Sequence, residues 1–159
     1  MRRIGGDRAA ASVSLRPARP EDSHRVWTWR NDDESRRSSF NSELIPLERH
    51  EAWFRDTLGR ADRRVYVVLE DGRESGAVRL DISTDEAEVS IHLAPESRGR
   101  GLGTMTLRAL ADQAFGSLGL DRLVARVKRD NTVSRRAFLA AGFHVADEGD
   151  VVRLVRSRE

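Results

Sequence analysis

The sequence contains no cysteine among its 159 residues, which excludes disulfides, thiolate zinc sites and a cysteine nucleophile. Long apolar runs are also missing, since no stretch approaches the roughly 18 apolar residues of a membrane helix. The first twelve residues lack the apolar segment of a secretory signal. We therefore expect a flexible tail over residues 1–12, a single domain over residues 13–159, and a cytoplasmic protein with no membrane partner.

Lysine is nearly absent. Of the 28 basic residues, Lys128 is the one lysine, which leaves 27 arginines. These arginines are interleaved with 26 acidic residues, so the formal net charge is only +2. Because a nucleic-acid-binding protein needs a segregated basic face, this interleaving argues against DNA or RNA as a partner.

The hydrophobic pattern predicts elements in the order β-α-α-β-β-β-α-β-α-β-β. Asp71-Gly72 is typical of a hairpin turn, and residues 31–41 are polar and expected to form a loop. Three consecutive strands followed by alternating strands and helices predict an α/β (α+β) fold, with a mixed sheet of about seven strands and helices on both faces. The strands are predicted at residues 13–16, 64–70, 75–82, 88–93, 122–127, 143–146 and 151–155, and the helices from Pro20 and at residues 47–58, 102–118 and 132–141.

A glycine-rich loop, residues 98–103, lies between the alternating strand and the longest predicted helix. A helix start offers unpaired N–H groups and a positive dipole end. Its glycines allow close approach to the backbone, and Arg98 and Arg100 add positive charge. The loop is neither a Walker loop nor a dinucleotide fingerprint. The pattern favours an anion site suited to a pyrophosphate; the alternative is a flexible turn that caps the helix.

Two blocks of the chain resemble the GNAT N-acetyltransferases. Arg98-x-x-Gly101-x-Gly103 is similar to the Arg/Gln-x-x-Gly-x-Gly/Ala signature of that family, and residues 131–143 are similar to a second block. The resemblance implies a GNAT fold, with acetyl-CoA as cosubstrate in a splay between strands 4 and 5 and no metal. The residues it implies for CoA binding are Leu93, Ala94, Arg98, Gly99, Arg100, Gly101, Leu102, Gly103, Thr104, Asn131, Ser134 and Arg136.

The alternating strand carries candidates for catalysis. Glu88, Ser90 and His92 project to one side of it, and a polar triplet in a central strand is expected only beside a cleft. We expect His92 to titrate near neutrality, and the resemblance implies a glutamate base at Glu88. The alternative for each is a satisfied or solvent-facing polar residue. Phe138 occupies the position of the usual tyrosine acid, so water, another donor or no group protonates the leaving thiolate.

The N-terminal third of the chain supplies candidates for the acceptor site: Trp27, Arg30, Asn31, Phe40 and His50. This region resembles a GNAT branch that acetylates nucleotide-linked amino sugars in the pseudaminic acid pathway. Arginine suits a phosphate, and aromatic rings stack on sugars or uracil. Alternatives are packing roles for Trp27 and His50, acceptance by a protein α-amino group or another small amine, and a non-catalytic CoA-binding module. Dimers are common in this family, so a homodimer is compatible with the resemblance.

Overall fold

A computed structural model describes residues 12–159 of the chain. The predicted tail falls mainly on residues 1–11, which lie outside the described residues, and the single domain stays a prediction. The strands are β1 (Val13–Pro17), β2 (Arg63–Glu70), β3 (Arg73–Ser83), β4 (Glu86–Leu93), β5 (Arg122–Lys128), β6 (His144–Asp147) and β7 (Val151–Ser157). The helices are α1 (Ser23–Asn31), α2 (Asp33–Ser38), α3 (Leu47–Leu58), α4 (Leu102–Phe115) and α5 (Thr132–Ala140), with short 3₁₀ turns at Pro20–Asp22 and Pro95–Ser97.

The seven strands form one sheet in the order β1-β2-β3-β4-β5-β7-β6. Every neighbouring pair is antiparallel except β4 and β5, which are parallel. The hairpin turn predicted at Asp71-Gly72 is confirmed, with φ values of 51° and 84°. Positive φ at both central residues is the geometry that joins two twisted strands by a two-residue turn. The predicted mixed sheet of seven strands is therefore confirmed.

The parallel pair of β4 and β5 is short. Glu86–Glu88 pairs with Arg122–Val124, and the two strands then separate, although β4 runs on to Leu93 and β5 to Lys128. Their outer edges remain paired with β3 and β7 over this length. The facing edges of β4 and β5 have no partner strand in the described part of the chain, which confirms the expected splay.

The side chains of the sheet alternate between two cores, as the period of two requires. One core packs the sheet against α4 and α5, and it includes Tyr66, Val68, Leu110 and Phe138. The other packs the opposite face against α1 and α3, and it includes Val65 with Trp29 and Phe54. The helices therefore cover both faces, as predicted. No helix within residues 12–159 is long and apolar enough to cross a bilayer.

The polar segment at residues 31–41 differs from its prediction. It was expected to be a loop, but α1 continues through Asn31 and α2 follows directly. The carboxylate of Asp32 caps α2 by accepting hydrogen bonds from the N–H groups of Glu34 and Ser35 at 3.2 and 3.3 Å. Because α2 has no apolar residue, hydrophobic periodicity carries no signal for it.

We expect that β3 requires glycine at position 76, because the neighbouring strand β4 leaves no room there for a side chain. A Cβ there would lie 2.7 Å from the carbonyl oxygen of His92 and 2.9 Å from Leu93 Cδ2. Because β4 is a central strand that cannot move away, we expect Gly76→Ala to lower the free energy of unfolding by about 2 kcal/mol. Urea denaturation measures this loss.

Gly59→Ala is the matched control. Gly59 has a φ of −88°, and its added Cβ would lie no closer than 3.7 Å to other atoms. We expect a change below about 0.5 kcal/mol. Equal losses in the two variants would contradict the steric argument for Gly76.

Candidate active site

One cavity of about 430 Å³ lies over the splay. It receives residues from β4, from β5 and α5 on one side, and from the segment around α2 on the other. Its lining includes some of the residues predicted for CoA binding and some of those predicted for the acceptor site. The predicted residues that line it are Arg30, Phe40, Glu88, Ser90, His92, Leu93, Arg98, Gly103, Asn131 and Ser134.

The glycine loop at one end of the splay presents backbone N–H groups. Gly99 and Gly101 have φ values of 79° and 80°, a conformation that favours glycine. Within the described residues, the N–H groups of residues 99–104 donate to no protein acceptor. Leu102 is buried and lies outside the cavity lining. These unpaired donors at the start of α4 can bind a pyrophosphate.

The arginine side chains of this loop point away from it. The guanidinium of Arg98 forms a 2.8 Å ion pair with Asp32, and that of Arg100 pairs with both carboxylate oxygens of buried Glu70 at 2.8 and 3.0 Å. We expected both side chains to add positive charge to the anion site. In the structure each guanidinium is paired with a carboxylate instead. Each of these ion pairs connects the loop to a neighbouring segment of the protein.

Among the other predicted CoA residues, Ala94 and Leu93 direct their backbone groups to opposite edges of the chain: those of Ala94 are paired within the protein, and those of Leu93 face the splay. The hydrogen bond from Ala94 N–H to Ser75 O is 2.8 Å long, and Ala94 O accepts one from Ser97. Because hydrogen-bonded pairs alternate along an antiparallel ladder, the backbone of Leu93 faces away from β3, towards the splay. Asn131 caps α5 by accepting from Ser134 N–H at 3.2 Å, and both line the cavity. Arg136 is exposed and lies outside the cavity lining.

The polar triplet of β4 borders the cavity. Glu88 accepts a 2.8 Å hydrogen bond from Arg126 across the mouth of the splay, and Ser90 lies 3.4 Å from Arg79. Within residues 12–159, His92 has no hydrogen-bond partner for its ring. The expectation that it titrates near neutrality is wrong, because burial and the positive charges of Arg30, Arg79 and Arg98 lower its pKa to about 4.

Phe138 is buried at the wall of the cavity, where it packs edge-on against Phe143 at a ring distance of 4.9 Å. A tyrosine acid is therefore absent from this position. Among residues 12–159, no cluster of three or more His, Asp or Glu residues could hold a metal ion.

Two guanidinium groups that line the cavity, those of Arg30 and Arg79, share one aromatic ring. Arg30 lies 4.4 Å and Arg79 5.2 Å from the centre of the Trp53 ring. Arg79 is paired with Asp81 at 3.1 Å. Arg30 has no carboxylate within 4 Å in the described part of the chain, and burial with repulsion from Arg79 lowers its pKa to about 10. Arg30 is thus a charged donor at neutral pH.

Trp27, Asn31 and His50, which we predicted to contact the acceptor, lie outside the cavity lining and form structural hydrogen bonds instead. Trp27 donates to the carbonyl of Ile45 at 2.7 Å, and Asn31 bonds both backbone groups of Ile45 at 2.9 Å. His50 is fully buried. Its Nδ1 lies 3.1 Å from Arg30 and its Nε2 lies 2.9 Å from Ser23 O. Since arginine only donates and a carbonyl only accepts, the ring is neutral with its proton on Nε2.

Four residues of the site were missing from the sequence-based set: Trp53, Arg79, Asp81 and Arg126. Arg79 and Asp81 alternate on β3, and the register places Asp81 opposite Glu88. The alternation of β3 beside the polar triplet of β4 was the signal that could have identified them. Trp53 carries no such signal, because a half-buried aromatic on a helix face resembles core.

The splay and the adjoining loop define the class: an acetyl-CoA-dependent transferase fold, as the sequence resemblance implied. Residues 12–144 match the acetyltransferase (GNAT) domain family, and the chain belongs to that family. The spermidine N(1)-acetyltransferase of Escherichia coli K12 is 30% identical over 144 residues, covering 88% of this chain and 77% of that protein.

Two further similarities are more distant. Acetyltransferase PseH of Campylobacter jejuni is 24% identical over 125 residues, covering 77% of each chain. Among solved structures, spermidine N-acetyltransferase from Vibrio cholerae in complex with CoA and spermine superposes with a TM-score of 0.83 at 21% identity. The superposition covers 91% of this chain and 95% of that one, and it supports the fold.

Glu70 should affect acetyl-CoA binding although it lies outside the cavity lining. Its buried carboxylate holds Arg100, so Glu70→Gln loosens the loop that presents the N–H groups. We expect acetyl-CoA affinity by calorimetry to fall roughly fivefold to tenfold, equivalent to about 1.0–1.4 kcal/mol. Glu86→Gln, which loses an exposed pair with Arg122 at 3.4 Å, is the control. An unchanged affinity in Glu70→Gln would refute this role.

His50 should make stability depend on pH. Burial and the charge of Arg30 lower its pKa to about 4 from an ordinary 6.5. Between those values the unfolded chain binds more protons than the folded one, so stability rises with pH. As the pH falls from 6.5 towards 4, we expect the free energy of unfolding to decrease, with His50 contributing less than about 1.4 kcal/mol per pH unit.

Replacing His50 by glutamine should flatten this dependence in part, since His92 contributes in the same direction. His144→Gln, at an exposed position of β6, should keep the slope of the parent protein. Urea titrations at several pH values measure both. Identical slopes in the parent and in His50→Gln would show that protonation of His50 is not coupled to folding.

Proposed function

We propose that this enzyme transfers the acetyl group of acetyl-CoA to a primary amine by direct attack in a ternary complex, and that the acceptor is a nucleotide-activated amino sugar. The unpaired N–H groups of residues 99–104, beside the open edge of β4, support pyrophosphate and pantetheine binding. Acetyl-CoA supplies the acyl group from its thioester. The residues of the chain bind and orient the two substrates and transfer protons.

The acceptor proposal rests on one observation, the Arg30–Trp53–Arg79 arrangement. Two like charges around one ring repel each other, and Arg30 lacks a carboxylate partner within residues 12–159. An anionic group between them relieves that repulsion and receives charge-assisted hydrogen bonds. A phosphate of a nucleotide sugar has this chemistry, whereas a polyamine brings further positive charge.

An anionic acceptor would also improve the candidate base. The low pKa of His92 arises from burial and from three arginines, two of which are Arg30 and Arg79. Negative charge between those two arginines reduces their field at the imidazole, so the ring becomes a better proton acceptor for the incoming ammonium. Glu88 and Ser90 stay candidates beside it, with Glu88 held by Arg126.

An amine panel tests the acceptor. Purified enzyme with acetyl-CoA is offered a UDP-linked amino sugar, spermidine and a peptide with a free N-terminus, and released CoA is measured with a thiol reagent. We expect the highest kcat/KM with the UDP-linked sugar. Preference for spermidine would overturn the acceptor proposal and leave acetyl transfer intact. CoA binding without release on any amine would support a non-catalytic module.

Arg30→Gln should raise the KM of the preferred acceptor roughly tenfold to hundredfold, since a hydrogen bond to a charged group contributes about 1.5–3 kcal/mol. The affinity for acetyl-CoA should stay within roughly twofold, equivalent to about 0.4 kcal/mol. Arg37→Gln is the matched control, because that arginine is exposed and lies outside the cavity lining. Equal KM values in the two variants would argue against an anion subsite at Arg30.

A further inference from the structure

The arginine that opens the glycine loop contacts the acceptor side of the cavity. Arg98 Nη1 lies 2.8 Å from Asp32 Oδ2 and 3.4 Å from Glu34 Oε1. Its Nη2 donates to Ser35 Oγ at 3.0 Å and to Leu93 O at 2.9 Å. One side chain therefore connects the loop, the end of β4 and the first turn of α2.

Helix α2 depends on such polar contacts. It has six residues and no apolar side chain, and Ser35 is its one buried residue. A helix this short has little stability of its own. Arg98 holds its N-terminal end, while Lys128 of β5 donates to Arg37 O at 2.9 Å at the other end. Without the Arg98 contacts, the N-terminal turn retains its Asp32 cap and the contacts of Arg36 with Asp33 and with the carbonyl of Asn31, so we expect α2 to loosen rather than to unfold.

This helix forms part of one wall of the cavity, which together with Arg30 we call the acceptor wall. Glu34, Ser35, Arg36 and Ser38 line the cavity, and Arg30 lies on the last turn of the preceding helix. A change in the position of α2 therefore changes the surface that meets the acceptor. The glycine loop, at the other end of Arg98, is where the pyrophosphate is proposed to bind.

We propose that Arg98 is a positioning residue that couples the two substrate sites, by fixing α2 and the acceptor wall when acetyl-CoA orders the glycine loop. This rests on the proposed binding of acetyl-CoA at that loop. The rival role is direct binding of the pyrophosphate by the Arg98 guanidinium. The two roles differ at Asp32, which contacts Arg98 but lies on the acceptor side of the cavity.

Steady-state kinetics on the full chain separate these roles. For Arg98→Gln and Asp32→Asn, we expect the KM of the best amine from the panel to rise about tenfold, equivalent to about 1.4 kcal/mol. The Kd of acetyl-CoA, by calorimetry, should stay within roughly threefold. The double variant should be no worse than the worse single variant, because the two side chains act as one pair. Asp121→Asn, which loses an exposed ion pair with Arg158 outside the cavity lining, should leave both values unchanged.

A second measurement needs no acceptor. Trypsin cleaves after arginine, and Arg36 and Arg37 lie on α2. We expect acetyl-CoA to slow cleavage there in the parent protein and not in Arg98→Gln, with thermal unfolding used to confirm that each variant is folded. This result can be obtained even if every amine in the panel fails, so it is independent of the acceptor proposal.

Two outcomes would overturn the coupling role. In the first, Arg98→Gln weakens acetyl-CoA binding tenfold while Asp32→Asn does not, which identifies Arg98 as a direct ligand of the pyrophosphate. In the second, acetyl-CoA protects α2 from trypsin equally in the parent and in Arg98→Gln. If the parent protein does not bind acetyl-CoA, the proposed cosubstrate site itself is refuted.

Discussion

The separation of β4 from β5 after three paired residues determines where everything else in the site can lie. A fully paired parallel ladder would use the backbone groups of both facing edges. Here the outer edges stay paired with β3 and β7, so the inner edges are left for a ligand. The Glu88–Arg126 pair lies at the point of separation, and the glycine loop follows β4 after the short 3₁₀ turn at Pro95–Ser97. One interruption in the sheet thus creates the cavity and directs the start of α4 towards it.

Arginine side chains stabilise the structure around this cavity through ion pairs and hydrogen bonds. Arg100 holds both carboxylate oxygens of Glu70 in its planar fork. Arg98 directs one nitrogen of its fork to Asp32 and the other to Ser35 and the carbonyl of Leu93, a geometry that the single ammonium of lysine does not provide. With both forks occupied, the loop offers a ligand its backbone rather than its side-chain charge. Arg30 and Arg79, by contrast, meet at Trp53 with their charges only partly compensated. The arginines around the site therefore differ: Arg98 and Arg100 are paired within the protein, whereas the charge of Arg30 has no carboxylate partner in the described residues.

Much of the fold follows from local patterns. The alternation of Val89 and Ile91 with polar neighbours located β4, and the proline at residue 46 and the glycine at residue 59 bounded α3 at Leu47–Leu58. Helix α2 escaped prediction because polar capping by Asp32 and the contacts of Arg98 stabilise it, and neither leaves an apolar period. The end of α4 at Phe115, three residues before its predicted end, has the simpler cause that Gly116 follows.

Local sequence alone was sufficient for the order of the strands and helices along the chain, the glycine loop at the start of α4 and the polar face of β4, because each depends on residues close together in the chain. The loop's signature and the later block also indicated acetyl-CoA. Only the tertiary structure decided what the charged side chains do. Arg98 binds a carboxylate 66 residues away, counting from Asp32, and three arginines from separate elements surround His92 and lower its pKa. Such electrostatic effects depend on distances in space, which no spacing along the chain specifies.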